Sequence, residues 1–216
     1  MSRTYPSTIA GPVEHELVVR RSRFLTHLVP VGTPDEADAV LADLRRGARD
    51  ASHHCSALVT GVLADQARSS DDGEPSGTAG VPMLEVLRRR DLTDVLAVVT
   101  RWFGGVELGA GGLVRAYSTS VSEALDRAVL VNRVALTTMT VGVPHADEGR
   151  VEHVLRDWVR QHGASLGPVA YGQEARFELG VPAHRVDALR TALAASTSGA
   201  VTPVVGGERV VDVRPA

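Results

Sequence analysis

Residues 98–118 read VVTRWFGGVELGAGGLVRAYS, and this stretch decides how the first part of the chain is organised. It opens on the end of an apolar run over residues 94–100 (DVLAVVT), which predicts a buried strand. A glycine-rich turn follows. Beyond the last glycine, apolar residues recur at helical spacing, at Leu113, Tyr117 and Val121. The stretch therefore predicts a strand, a glycine-rich turn and a helix.

The glycine-rich turn has the composition of an anion-binding helix start. Backbone N–H groups and the helix dipole favour an anion there, and Arg115, expected in the first helical turn, adds a full charge and a planar donor fork. The candidate binding residues are Arg101, Phe103, Gly104, Gly105, Gly109, Gly111, Gly112 and Arg115. The alternative is a tight turn that simply requires positive φ angles.

Two standard nucleotide motifs are excluded by the same residues. Ala110 stands where a Walker loop requires lysine. Val114 stands where a dinucleotide-binding fingerprint requires its third glycine. An ordinary P-loop NTPase and a Rossmann enzyme are therefore rejected.

A second polar segment, residues 65–80 (DQARSSDDGEPSGTAG), predicts a long loop of the kind that often carries function. Its candidate binding residues are Asp71, Asp72, Glu74, Ser76 and Thr78. Neighbouring carboxylates can hold Mg²⁺ or shift one another's pKa for acid–base work. The alternative is a solvated loop whose Asp and Ser side chains make local turns. We expect no resident metal or cofactor, with Mg²⁺ as the alternative, and we place the functional surface on residues 69–82 and 101–115.

The single cysteine follows two histidines, in the run His53-His54-Cys55 at the start of a strand predicted over residues 55–64. Cysteine and histidine together can form a nucleophile or a zinc site. Neighbouring residues on a strand point to opposite faces, however, and only one cysteine exists. The pattern favours a buried structural cysteine.

The remaining elements predict two α+β domains, over residues 1–133 and 134–216. The first begins with a hairpin of strands over 14–20 and 23–31, a helix capped at Thr33, and a short helix over 82–90. From about Ala135 the order is β-α-β-β-α-β, with a Gly206-Gly207 turn in the last strand region, which indicates a ferredoxin-like unit.

Composition narrows the function classes. The hydrophobic share is 44% and the net charge is −3, so the chain can bury a core and bulk charge gives no support for nonspecific nucleic-acid binding. One cysteine favours a reducing compartment, and we expect a cytoplasmic protein. No apolar run approaches the roughly 20 residues of a membrane span, so we expect no membrane association.

Four segments together resemble the YigZ/IMPACT family: Ser22-Arg23-Phe24, His53-His54-Cys55, Ser70–Pro82 and Val98–Ser118. The resemblance implies a first domain like domain 2 of ribosomal protein S5, and a C-terminal domain similar to the last domain of elongation factor G. The chain departs from the usual family pattern at three positions, His54, Leu58 and Trp102. These departures affect the surroundings of Cys55 and leave the two loop segments intact.

Three hypotheses about function stay open. The first is a non-enzymatic binding or regulatory protein associated with translation, whose partner is the ribosome, structured RNA or a translation-regulating protein; the resemblance implies this, since eukaryotic relatives bind a ribosome-associated coactivator of the amino-acid-starvation kinase. The second is an enzyme or small-molecule binder that takes a phosphorylated or anionic ligand at the Gly104–Arg115 loop, facing the carboxylate-rich loop. The third is a structural module whose loops pack the domains together.

Overall fold

The computed structural model of this chain describes residues 5–213. Its residues form two compact units, one of residues 5–133 with 212–213 and the other of residues 134–211. Each unit has a hydrophobic core of its own. The predicted mixed α+β class is confirmed, and each unit contains an antiparallel sheet.

The first unit is built on a five-stranded sheet. Its elements in chain order are β1 (Thr8–Ile9), β2 (Val13–Val19), β3 (Ser22–Pro30), α1 (Pro34–Gly47), β4 (His53–Thr60), β5 (Gln66–Ser70), α2 (Gly80–Arg89), β6 (Val95–Trp102), α3 (Ala110–Leu125) and the first residues of β7 (Leu130–Val143). The strand order in the sheet is β2-β3-β6-β4-β5. The short β1 pairs with Leu130 and Val131 of β7.

Both faces of this sheet are covered, which explains the continuous apolar sequences of its central strands β4 and β6. Successive side chains on a strand point to opposite faces. One set packs with α2 and α3 in the main core, namely Cys55, Ala57, Val59, Val95, Ala97 and Val99. The alternate set packs with α1, namely Leu58, Leu96 and Val98. Two layers of helices therefore hold β4 and β6 as the rigid centre of the unit.

The predicted hairpin is confirmed, and its turn has an unusual sequence. Val19 pairs with Ser22, so Arg20 and Arg21 form a two-residue turn. Their φ angles are 45° and 71°, in the left-handed region that favours Asn and Gly. Gly104 lies directly against this turn, because a Cβ added at Gly104 would lie 2.1 Å from the carbonyl carbon of Arg21. Only glycine fits at position 104, because any side chain there would clash with the backbone of Arg21.

The second unit packs its helices against one antiparallel sheet. Its elements in chain order are the rest of β7, α4 (Glu148–His162), β8 (Ser165–Leu166), β9 (Ala170–Tyr171), β10 (Ala175–Val181), α5 (Val186–Thr197) and β11 (Val204–Val213), with short 3-10 helices at His145–Asp147 and Ala183–Arg185. Strand β10 pairs with β7, β8 and β9, and β11 pairs with β7. The core includes Leu155, Phe177 and Leu189, each fully buried.

Two predictions about local structure are wrong, and the predicted helix over 82–90 is confirmed with a different start. Residues 66–70 form the edge strand β5, not loop, and all five are exposed, as suits a polar edge. Helix α2 begins at Gly80 and not at Pro82; a Cβ at Gly80 would lie 2.7 Å from the Ser70 backbone nitrogen, so glycine allows this close approach. Strand β11 runs straight through Gly206 and Gly207 with no turn there.

No helix within residues 5–213 is long and apolar enough to cross a bilayer.

Candidate functional site

The acidic loop, residues 71–79, is held in shape by its first carboxylate. One Asp71 oxygen accepts the N–H groups of Ala79 and Gly80, at 3.0 and 2.8 Å, and the other accepts that of Gly77 at 2.8 Å. Asp71 therefore caps the first turn of α2 from across the loop. Burial opposes ionisation of this carboxyl, but the three donated hydrogen bonds outweigh it and lower the Asp71 pKa.

Asp72 ties the loop to two other elements. Its carboxylate accepts the Arg45 guanidinium of α1 and the His54 backbone N–H of β4, each at 2.6 Å. The Asp72 carbonyl oxygen lies 2.9 Å from Nδ1 of His53. Asp72 has a φ of 43°, so its own backbone forms part of the tight turn.

The third carboxylate, Glu74, lies in a buried network that joins the acidic loop to β6 and α3. Its Oε1 accepts the Arg101 Nη1–H at 2.6 Å and the Tyr117 hydroxyl at 2.7 Å. Side chains of Glu74 and Arg101 are 3% and 6% exposed. Arg101 also donates from Nη2 to Ser22 Oγ at 3.3 Å, while its buried Nε finds no partner among residues 5–213.

Cys55 lies beneath this network as a structural thiol. Its Sγ donates to the Asp71 carbonyl at 3.0 Å and lies 3.3 Å from the Tyr117 hydroxyl. Burial raises the pKa of the thiol to about 12, and the charges of Glu74, Asp72 and Asp71 act in the same direction. The thiol is therefore protonated at neutral pH, which argues against a nucleophilic role.

The two predicted loop segments meet at one cavity of about 400 Å³, which we call the inter-loop cavity. Its lining residues come from β4, the acidic loop, the end of β6, the glycine-rich loop over 103–109 and the start of α3. They are His53, Glu74, Pro75, Arg101, Phe103, Glu107, Leu108, Gly109, Ala110 and Leu113. Phe103 remains 51% exposed. A buried ion pair thus lies at the wall of a cavity whose other lining residues are largely apolar.

Arg115 does not line the inter-loop cavity, so its expected place opposite the acidic loop is corrected. Helix α3 begins at Ala110, which makes Arg115 the sixth residue and puts it in the second turn, not the first. It lines a separate cavity of about 210 Å³ together with Arg20. Leu108 is the one residue that lines both cavities.

The remaining candidate residues are the glycines that shape the turn before α3 and two hydroxyl residues of the acidic loop. Gly105 and Gly109 have φ angles of 81° and 69°, which supports the tight-turn interpretation at these two positions. Gly111 and Gly112 lie in the first turn of α3. Thr78 is buried and donates to the Pro75 carbonyl at 2.6 Å, whereas Ser76 is exposed.

Sequence reasoning missed Tyr117 and Arg20 as site residues. Tyr117 was assigned only to the apolar stripe of a helix, yet a buried tyrosine hydroxyl requires a hydrogen-bond partner, and that requirement is a usable signal. Arg20 carried no signal, because only the folded hairpin places it beside α3. Within residues 5–213, no group of three or more His, Cys, Asp or Glu side chains is arranged to hold a metal ion.

Comparison with known proteins identifies the class of chain that carries this arrangement. The Impact N-terminal domain matches residues 20–125, and a domain of unknown function, DUF1949, matches residues 141–200. The IMPACT family member YvyE of Bacillus subtilis (strain 168) is 41% identical over 192 residues, which cover 89% of this chain and 87% of YvyE. The chain therefore belongs to the IMPACT family, with an Impact N-terminal domain followed by a DUF1949 domain.

Two further relatives agree with this assignment. YigZ of Escherichia coli (strain K12) is 41% identical over 148 residues, covering 68% of this chain and 72% of YigZ. A crystal structure of a hypothetical protein is 32% identical and covers 94% of this chain and 97% of that one, with a TM-score of 0.64. The solved two-domain translational regulator Yih1 is 27% identical over 58% of this chain and 47% of that one; its TM-score of 0.33 is too low to compare folds.

Proposed function

We propose that this chain is a non-enzymatic binding protein that recognises a partner in translation through the mouth of the inter-loop cavity. The translation link comes from the family: eukaryotic relatives, as the resemblance implies, bind a ribosome-associated coactivator. The partner class comprises the ribosome, structured RNA or a translation-regulating protein. The net charge of −3 favours specific contacts over nonspecific binding to nucleic acid.

The observation that carries the proposal is the buried bridge from Glu74 to Arg101 and Tyr117. It uses the polar groups of both loops to fix their shape, and it leaves Phe103 and Pro75 exposed above it. An exposed aromatic side chain on a rigid support is typical of the residues that dominate protein interfaces.

The acidic loop supports binding more than catalysis for the same reason. Asp71 accepts three backbone N–H groups, and Asp72 accepts Arg45 and the His54 backbone. Glu74 is paired inside the protein. The proposed roles of these carboxylates are therefore to shape and support the surface that a partner contacts.

The alternative hypothesis, an anionic ligand in the inter-loop cavity, required Arg115 and Arg101 as its cations, and neither is available to such a ligand. Arg115 lines the other cavity, and Arg101 already pairs with Glu74. The purely structural hypothesis accounts for the buried residues Glu74, Thr78 and Ala79 but not for exposed Pro75 and Ser76 in the same loop.

Co-sedimentation with ribosomes tests the proposal, with Phe103→Ala as the key variant. We expect the wild type to co-sediment and Phe103→Ala to bind about thirtyfold or more weakly, since truncating an interface anchor removes about 2 kcal/mol or more. Tyr171→Ala is the matched control, because Tyr171 is an aromatic residue of the other unit that is 69% exposed. Equal binding by Phe103→Ala contradicts the proposal, and absence of wild-type binding excludes the ribosome as the partner.

The salt dependence of ribosome binding distinguishes contacts to ribosomal RNA from contacts to a ribosomal or ribosome-bound protein. Contacts to RNA phosphates weaken steeply as salt rises, whereas an apolar contact to a protein persists.

We also infer the finer fold and domain assignments. The antiparallel sheet between two helical layers supports an S5 domain 2-like fold over residues 1–133. Between α4 and α5 the two short strands β8 and β9 both pair with β10. Counted as one interrupted strand, they give the order β-α-β-β-α-β, which supports a ferredoxin-like domain over residues 134–216, similar to the last domain of elongation factor G.

A further inference from the structure

The second cavity of the first unit, which we call the arginine cavity, combines two arginines with an apolar floor. It encloses about 210 Å³ between the hairpin β2–β3 and helix α3. The lining residues are Leu17, Val19, Arg20, Leu108, Gly112, Arg115, Ala116 and Thr119. It lies outside the proposed partner-binding surface, apart from the shared Leu108.

Both guanidinium groups of this cavity lack a counter-ion. Neither the Arg20 nor the Arg115 side chain has a hydrogen bond or ion pair with any of residues 5–213, and both residues are exposed. Other arginines of this unit do have a counter-ion: Arg23 pairs with Glu16 at 2.6 Å, and Arg101 pairs with Glu74 at 2.6 Å. Two like charges at one small cavity repel, and an anion bound between them converts that repulsion into attraction.

The floor of the cavity is apolar, so an anion that also carries a hydrocarbon group would fit better than a purely polar one. Leu17, Val19 and Leu108 are partly buried and pack against the main core, and Ala116 is 3% exposed. The volume corresponds to about seven water molecules at roughly 30 Å³ each, which suits a short chain and excludes a nucleotide.

The backbone that presents Arg20 supports a functional role for this side chain. Arg20 and Arg21 occupy left-handed positions of a two-residue turn where Asn-Gly is the favoured sequence. A residue kept in a disfavoured backbone conformation commonly marks a site where the side chain is needed.

We propose that the arginine cavity binds a small amphipathic anion, with a short hydrocarbon chain on the apolar floor and a terminal phosphate or carboxylate between Arg20 and Arg115. The two headgroups share the chemistry that a pair of guanidinium groups recognises, because both accept paired N–H donors.

The test compares the binding of four probes to the full chain by isothermal titration: hexyl phosphate, hexanoate, inorganic phosphate and hexanol. We expect hexyl phosphate or hexanoate to bind, and inorganic phosphate and hexanol to bind at least about tenfold more weakly, since each has only half of the recognised chemistry. The better of the two anions identifies the headgroup.

Three variants locate the site. Arg20→Gln and Arg115→Gln should each weaken binding about tenfold or more, because each removes a charged donor. Arg49→Gln should bind as the wild type does, since Arg49 is exposed, lines neither cavity and has no partner within residues 5–213. Unchanged melting temperatures confirm that the variants fold.

Four results overturn the proposal: no binding of either anion by the wild type, equal binding by the arginine variants, hexanol binding as tightly as the anions, or inorganic phosphate binding as tightly as hexyl phosphate. None of them bears on ribosome binding through Phe103, so the two proposals fail separately.

Discussion

At the scale of single residues, Glu74 joins the acidic loop to β6 and α3 through one buried carboxylate. Its carboxylate is the counter-ion of buried Arg101 and the acceptor of the Tyr117 hydroxyl. Replacing Glu74 by Ala leaves a buried guanidinium unpaired, and we expect the free energy of unfolding to fall by about 3–5 kcal/mol. Urea denaturation measures this change.

Glu107→Ala is the control for that experiment. Glu107 is an exposed carboxylate lining the same cavity, and it forms no ion pair within residues 5–213. Its removal should change stability by less than about 0.5 kcal/mol. Similar effects of the two substitutions would show that the buried ion pair does not hold the loops.

Asp71 makes the first unit sensitive to acid. The pKa of Asp71 is lowered in the folded state, so its stabilising contribution is complete above the unfolded value of about 3.9 and is lost as pH falls through the folded pKa. We expect the free energy of unfolding to decline from about pH 5 downward. In Asp71→Asn this part of the decline should be absent, with lower stability at pH 7, because an amide NH₂ now faces backbone N–H groups.

Urea denaturation of both proteins between pH 7 and pH 3 tests this dependence. Asp38→Asn is the control, since Asp38 pairs with Arg68 on the exposed surface. Parallel stability curves for the wild type and Asp71→Asn would contradict the expected role.

At the scale of elements, the turn between β2 and β3 lowers the stability of the fold. A non-glycine residue in the left-handed region costs about 1–2 kcal/mol. Glycine avoids this cost but loses about 0.5–1 kcal/mol through its greater conformational freedom in the unfolded chain. Arg21 has a φ of 71°. Arg21→Gly should therefore raise the free energy of unfolding by about 0.5–1 kcal/mol, measured by urea denaturation.

The same substitution at Arg49 provides the comparison. Arg49 has no positive φ, so Arg49→Gly should lower stability by about 0.5–1 kcal/mol. A loss of stability in Arg21→Gly would show that the turn is not strained.

Elements with a strong periodic signal were predictable, and those defined by contacts were not. The hairpin and the helix capped at Thr33 follow from alternation and capping residues, and Thr33 does accept the Glu36 N–H at 3.2 Å. Strand β5 escaped prediction because QARSS is polar on both faces, and its pairing with β4 decides its conformation. The turn predicted at Gly206-Gly207 is absent because glycine occurs both in turns and at strand positions that another backbone approaches closely.

At the scale of the whole molecule, sequence predicted the α+β class, and the two loop segments that it singled out both contribute residues to the inter-loop cavity. It could not assign partners to charges, because the pairing of Glu74 with Arg101 and the separation of Arg115 from both depend on the packing of β6 and α3. The named folds and the exact domain limits stay predictions.

Cys55 gives this molecule a natural probe of its own motion. It is the only cysteine of the chain, and its thiol is buried between the sheet and the helices α2 and α3. A thiol reagent can reach it only while that core is open, so the modification rate of the unaltered protein measures how often the first unit opens. A bound partner or ligand that stabilises the closed form would slow this rate. The wild-type protein can thus report its own binding events through the reactivity of Cys55, with no engineered cysteine.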